Sequence, residues 1–180
     1  MTRAVILIAH GFQDEEFCYP YYRMLEEGWE VDIASNDGGV KQGKYGLPAR
    51  ANRDFNFLTP QYYDIVFVPG GFECPDRLRM DKRVQDFVRG MDTAGKIIAA
   101  ICHGPWVLVS AGVASGRTLT CYDSIKPDLM NAGALVSMAS VVRDRNLVTA
   151  DHYRNNGGFM RQVIAAANST ITRSESPHAI

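Results

Sequence analysis

The sequence predicts an α/β fold, a sandwich built on a mostly parallel sheet. Three observations carry this. Apolar runs of strand length alternate with segments of helical periodicity. The runs are continuous rather than alternating, as expected for strands buried on both faces. Three of them lead into loops rich in Gly, His, Cys and acidic residues, "HGFQDEE", "PGGFECPDR" and "CHGP". In such sheets ligands bind beyond the strand carboxyl ends, where strand order reverses.

The elements follow in order. "RAVILIA" (3–9) is a buried strand and "EVDIAS" (30–35) a second. Between them Phe17, Tyr21, Met24, Leu25 and Gly28 keep helical spacing, with Asp14 as N-cap and Pro20 as a start or kink. "DIVFVPGG" (64–71) is a strand running into a turn. "RVQDFVRGM" (83–91) sets Val84, Phe87, Val88 and Met91 on one helical face. "KIIAAIC" (96–102) is a strand and "GPWVLVSAG" (104–112) a helix stopped by Gly112. "SIKPDLMNAG" (124–133) is a short helix broken by Pro127, and 135–150 holds two strands joined at "RDRN". "GFMRQVIAAAN" (158–168) is the last helix. One domain over 1–168 and a mobile tail over 169–180 are expected, because the tail is polar and aperiodic.

Composition narrows the function. With 19 basic and 20 acidic residues the net charge is −1, so no basic field points to nucleic acid or an anionic membrane. Arg3 precedes only six apolar residues, too few for a secretory h-region, and no run approaches a membrane span. The four cysteines have no metal-ligand spacing. Reduced thiols, a cytoplasmic location, and neither metal nor cofactor are the expectation.

The chemistry concentrates at "AAICHGP". A strand that turns sharply into a helix exposes its corner side chain, as in a nucleophile elbow. Gly104 permits the turn and Pro105 suits the first helical position. A thiol at Cys102 would then feel a helix N-terminus, which favours thiolate. The alternative is an inert core cysteine. His103 is either a base or a turn histidine, since adjacent side chains diverge at a corner. Gly70 and Gly71 are either a nest of N–H donors for an oxyanion or a plain turn. Asp14, Glu15 and Glu16 suit a first helical turn. One of them buried beside a thiolate would instead stay protonated and donate to sulfur.

"GFQDEEFCYPYYRMLEEGWEVDIAS", "DIVFVPGG", "IIAAICHGPWVLVSAGV" and "CYDSIKPDLMNAGA" resemble the PfpI/ThiJ superfamily on its PfpI-like side. The resemblance runs to about residue 150 and returns in the last helix. It implies a flavodoxin-like three-layer sandwich related to class I glutamine amidotransferase domains. It implies that Cys102 is the reactive cysteine, followed by His103, and that Glu16, counted back from Pro20, bonds its sulfur, with Glu15 as fallback. Gly70 and Gly71 match the oxyanion-side backbone, and Tyr122 a pocket tyrosine. Two departures stand out. Where the family has a short run to Pro-Glu-Arg, whose Glu reaches a neighbouring subunit's histidine, this chain has one more residue and Asp76. Where the family has Ser-Arg-x-Pro, this chain has "TADHYRNN", so His152 and Arg154 become candidate substrate-binding residues in a specificity loop.

The resemblance implies a cofactor-independent, cysteine-dependent enzyme acting on small reactive carbonyls or amides, of glyoxalase, deglycase or amidase/peptidase type. Its alternative is a redox-stress sensor or chaperone-like protein that works by oxidation of Cys102. It also implies a homo-oligomer with Asp76 near a neighbour's His103.

Overall fold

The continuous apolar runs become the centre of a seven-stranded sheet in a computed structural model that describes residues 1–174, with side chains through 169. The first half of the chain forms β1 (Arg3–Leu7), α1 (Asp14–Glu26), β2 (Glu30–Ser35), β3 (Gly39–Gln42), β4 (Pro48–Ala51), β5 (Arg53–Asp54) and β6 (Ile65–Val68). Then come α2 (Glu73–Met80), α3 (Lys82–Thr93), β7 (Ile97–Ile101), α4 (Pro105–Ala111) and β8 (Thr118–Leu119). The chain continues through α5 (Lys126–Asn131), β9 (Leu135–Val136), β10 (Val141–Asp144), β11 (Leu147–Ala150) and α6 (Asn156–Ser174). Residues 169–174 of the expected tail therefore continue α6, and 175–180 lie outside the described residues.

Strand order is β10-β11-β7-β6-β1-β2-β5, parallel throughout except for β10 against β11. The step from β1 to β2 runs one way across the sheet, and the steps from β6 to β7 to β11 run the other. Right-handed crossovers therefore put α1 on one face and α3 and α4 on the opposite face. Consistently, α6 packs on α1, while α2 and α3 both pack on α4. This is the three-layer sandwich. Its order reverses between β1 and β6, so the ligand crevice belongs beyond their carboxyl ends, next to that of β7.

β6 and β7 are buried at every position and β1 at all but the first. Each Val, Ile, Leu or Phe side chain buried there is worth about 1.5–3 kcal/mol relative to exposure. Among the described residues, no helix is long and apolar enough to cross a membrane.

Four local expectations are corrected. Asp14 does not cap α1; Gln13 holds that position, and the Asp14 carboxylate accepts from Tyr45 N–H and Leu47 N–H, both at 2.9 Å. Pro20 lies inside α1 rather than at its start, and leaves the Glu16 carbonyl without its i+4 donor. Residues 39–51, with no strand pattern in the sequence, form the antiparallel β3–β4 hairpin. Its strands are four residues each, with mostly exposed side chains, too short and polar to show a period. The segment after Pro69-Gly70-Gly71 is a full helix, α2, burying Cys74, Pro75 and Leu78.

Candidate active site

Three loops meet at the crevice: residues 8–13 after β1, 69–72 after β6 and 102–104 after β7. The hairpin, residues 122–125 and the turn at 151–155 close around them. Together they line a cleft of about 350 Å³, with Glu16, Cys102, His103, Tyr122 and His152 on its walls. That volume suits a small molecule.

Cys102 follows the last residue of β7 and has φ +60°, a left-handed conformation rare for a residue with a side chain. The strain is held from three sides. Cys102 N–H donates to Ala150 O at 2.8 Å, Cys102 O accepts from Tyr122 N–H at 3.0 Å, and Gly104 N–H returns to Ile101 O at 2.8 Å. Gly104 is required for space: a Cβ there would lie 2.6 Å from Val68 O. This over-determined corner is the nucleophile elbow. α4 has only seven residues, so local N–H groups matter more than its dipole. Burial first, and then a negative Glu16, raise the Cys102 pKa well above the ordinary thiol value; the N–H groups of His103 and Gly71, directed at the sulfur, offset part of that rise.

Glu16 is fully buried on the first turn of α1. Its Oε2 accepts Gly70 N–H at 2.8 Å. Oε1 has no partner at ordinary hydrogen-bond geometry, and the carboxyl has the Cys102 sulfur and Tyr153 N–H for neighbours. Burial pushes the Glu16 pKa up to about 8. At neutral pH the carboxyl therefore keeps its proton, the charge that would lift the thiol is absent, and an O–H faces the sulfur. Glu15, the fallback, is exposed and accepts from Gln13 Nε2 at 2.5 Å.

Gly70 and Gly71 divide their roles. Gly70 N–H is committed to Glu16, so the nest at the sulfur consists of Gly71 and His103 N–H groups, not of the two glycines. A Cβ at Gly70 would lie 2.4 Å from Glu16 Oε2 and 2.6 Å from Cys102 Cβ, so this glycine is the gap through which carboxyl and thiol meet.

The expected divergence of His103 from Cys102 does not occur. Its Nδ1 is 3.3 Å from Cys102 Sγ, and Nε2 is 3.2 Å from Ser124 Oγ. The ring stacks on Tyr122, 4.8 Å between centroids, and meets Trp106 edge-on. Burial first, then the positive Lys44, lowers its pKa, which keeps the imidazole neutral and able to accept a proton. Its orienting partner is a hydroxyl, not a carboxylate.

Asp76 and Arg154 are not brought to this cleft. Asp76 is exposed on α2 and lines a separate crevice with His10, Lys41 and Arg77. Arg154 is exposed, and its backbone N–H rather than its guanidinium serves the site, donating to His152 Nδ1. Sequence reasoning missed Gln13, Lys44, Tyr45, Phe72 and Ser124. Lys44 and Tyr45 sit in the unforeseen hairpin; the others had no local signal.

The chain matches the model of the DJ-1/PfpI family over residues 2–166. It is 40% identical to Deglycase PfpI of Pyrococcus furiosus, over 90% of this chain and 97% of that protein. It is 38% identical to protein/nucleic acid deglycase 2 of Escherichia coli, over 90% and 95%. Its fold superposes with a TM-score of 0.91 and 29% identity on a two-domain protein of Anabaena variabilis with DJ-1/ThiJ/PfpI-like and ferritin-like domains, covering 93% of this chain and 48% of that one. An elbow cysteine met by a buried carboxyl, on this sheet and with a family match over nearly its whole length, has one placement: the chain belongs to the DJ-1/PfpI family.

Proposed function

We propose that this chain is a cofactor-independent, cysteine-dependent enzyme of the deglycase type, releasing a carbonyl-derived group from a glycated amine or thiol. The carrying observation is the placement of Cys102 Sγ, 3.3 Å from His103 Nδ1 and facing a buried Glu16 carboxyl inside a cleft for a small molecule. His103 takes the thiol proton at Nδ1. The sulfur bonds the carbon bearing the hydroxyl and the amine, the C–N bond breaks, and the amine leaves with a proton from the imidazolium. The product is a hemithioacetal on Cys102. Its carbon-bound proton moves, through an enediol, to the adjacent carbonyl carbon, giving a thioester. Aldehyde-level carbon is oxidised and the neighbouring ketone reduced, so no external electrons are needed. The Gly71 and His103 N–H groups, directed at the sulfur in the free protein, are placed to take up the oxygen at the carbon it attacks. Water then cleaves the thioester to a hydroxy acid and restores the thiol.

The test is hydroxy-acid release from preformed methylglyoxal adducts of N-acetylcysteine and N-acetylarginine, with a scavenger removing free methylglyoxal. Lactate should form with the protein above the scavenged buffer rate. Cleavage of a simple peptide amide without lactate from either adduct would replace this reading with an amidase.

A cytoplasmic homo-oligomer fits the same reading. Among the described residues His103 has no carboxylate partner, and Asp76, exposed on α2, makes no ion pair. A neighbour's Asp76 near His103 would supply the missing orienter. Mixing Cys102→Ser with Asp76→Ala subunits should then restore activity that neither parent has. Proven subunit exchange without recovery, or a monomeric elution volume, removes Asp76 from the site.

A further inference from the structure

The site contains a second imidazole that the steps above do not use. His152 comes from the turn that departs from the Ser-Arg-x-Pro pattern. Its position is set by the sheet. β11 pairs in parallel with β7, Ala150 opposite Ile101, and Ala150 O accepts the Cys102 N–H. The chain therefore leaves β11 beside the nucleophile, and His152 follows two residues later on the cleft wall.

The ring is held in one orientation, with its Nδ1 facing the backbone. His152 is the N-cap of the short 3-10 turn Tyr153–Asn155, and its Nδ1 accepts Arg154 N–H at 3.2 Å. A neutral imidazole that accepts at Nδ1 carries its proton on Nε2. Tyr153 and Tyr122 lie against the ring at 4.1 and 6.0 Å between centroids. Tyr122 in turn stacks on His103, so near-parallel rings extend along the wall from the nucleophile. Two hydrogen bonds brace the turn, Asn155 Nδ2 to Asp151 Oδ1 at 2.7 Å and Asn156 Nδ2 to Glu15 O at 2.9 Å.

Several donors in the cleft are committed, while Lys44 Nζ and the hydroxyls of Tyr45, Tyr122 and Tyr153 line it alongside His152. Both His103 nitrogens are engaged, Gln13 Nε2 bonds Glu15, and the N–H groups of Gly71 and His103 point at the sulfur, where they serve the attacked carbon rather than the one beside it. Among the described residues nothing engages His152 Nε2. A neutral, pre-oriented N–H one step along the wall from the reacting sulfur fits an uncharged oxygen on the carbon next to the one attacked. We propose that His152 is a specificity-determining residue that donates its Nε2–H to the second oxygen of substrates with vicinal oxygens, a reading that rests on the deglycase-type function above. A carbonyl compound or amide lacking that oxygen leaves the donor unpaired, and such sites discriminate strongly against the analogue that lacks the group.

The experiment uses reversible addition to Cys102 rather than turnover. Protection of Cys102 from iodoacetamide is titrated with methylglyoxal and with propanal, which has the same carbon skeleton without the second oxygen. Each is compared in the wild type, His152→Phe and His152→Gln. The ratio of the two protection constants cancels intrinsic electrophilicity when variants are compared. Phe keeps the stacking and loses the donor; Gln keeps an amide N–H near the Nε2 position. The expected result is a methylglyoxal/propanal ratio at least about fivefold lower in His152→Phe than in the wild type, with propanal itself changed less than about twofold and Gln recovering part of the ratio. An unchanged ratio in His152→Phe, or equal weakening of both compounds, overturns the assignment. Circular dichroism checks each fold, and His152→Ala replaces Phe under the same criterion if Phe does not fold. Absence of turnover on glycated substrates would count against the proposed function and leave this ratio readable.

Discussion

Replacing Cys102 with serine should abolish release of hydroxy acid from a glycated substrate, a loss on the order of 10⁴-fold or more. The substitution changes one atom and leaves the strained φ of +60° and its three backbone anchors in place. The hydroxyl is a far weaker acid than the thiol, and a neutral His103 cannot deprotonate it to a useful extent. The melting temperature should stay within a few degrees, which separates lost chemistry from lost fold. Residual activity above about 1% of wild type would move the nucleophile elsewhere. Native-state alkylation gives a companion result. Cys74 and Cys121 are fully buried and do not line the cleft, so they will label slowly whatever their acidity. Cys18 is more exposed than Cys102, yet Cys102 should label first, because the Glu16 O–H and two N–H groups face its sulfur. If Cys18 labels first, those donors do not activate the thiol.

Substitutions of Glu16 should separate activity from stability. Glu16→Leu removes the donor to sulfur and leaves the Gly70 N–H buried without a partner. Activity should fall about 10²–10³-fold, the range of a lost acid–base group, and stability by about 1–3 kcal/mol. Glu16→Gln keeps an oxygen for Gly70 and an N–H for sulfur, so activity should fall only about tenfold. Its stability should rise. The wild-type carboxyl titrates from 4.5 in the unfolded chain to about 8 in the fold. A folded pKa above the unfolded one contributes stability that is complete below the unfolded value and is lost as pH rises between the two. By pH 7 that loss is on the order of 3 kcal/mol. Denaturation midpoints measured from pH 4 to 8 should fall in the wild type and stay flatter in Glu16→Gln. Parallel pH profiles for the two proteins would mean that Glu16 is ionised in the fold.

Much of this arrangement was legible before any coordinates. Strands as apolar as β1, β6 and β7 identify themselves, and Gly-Pro after a thiol marks a corner by backbone mechanics alone. Glu16 was found by its distance from Pro20 within a family resemblance. Its pairing with Gly70, 54 residues away, has no local trace. Gly70 therefore read as a donor to the oxyanion, when its N–H is taken and its missing side chain is what the site needs. Ser124 and Phe72 were invisible for the same reason: their roles depend on which loops converge, and that is decided by strand order. α2 was hidden because Pro-Gly-Gly ahead of it and Pro75 within it are turn signals in isolation, while its packing partners, α3 and α4, come later in the chain.

The carboxylate of Asp14 holds the backbone of Tyr45 and Leu47, two residues before Glu16 on the same helical turn. Lys44 N–H and Gly11 N–H add bonds of 2.7 and 2.8 Å between the hairpin and the loop after β1. Gly43 lies so close beneath the clasp that a Cβ would meet Asp14 Oδ2 at 2.5 Å. For protein engineering this makes the hairpin and the first turn of α1 a single exchangeable module. A loop swap between relatives that carries residues 39–51 without Asp14, or Asp14 without Gly43, transplants an entrance with no hinge pin. Chimaeras that move both pieces together should keep the mouth of the cleft aligned with the thiol.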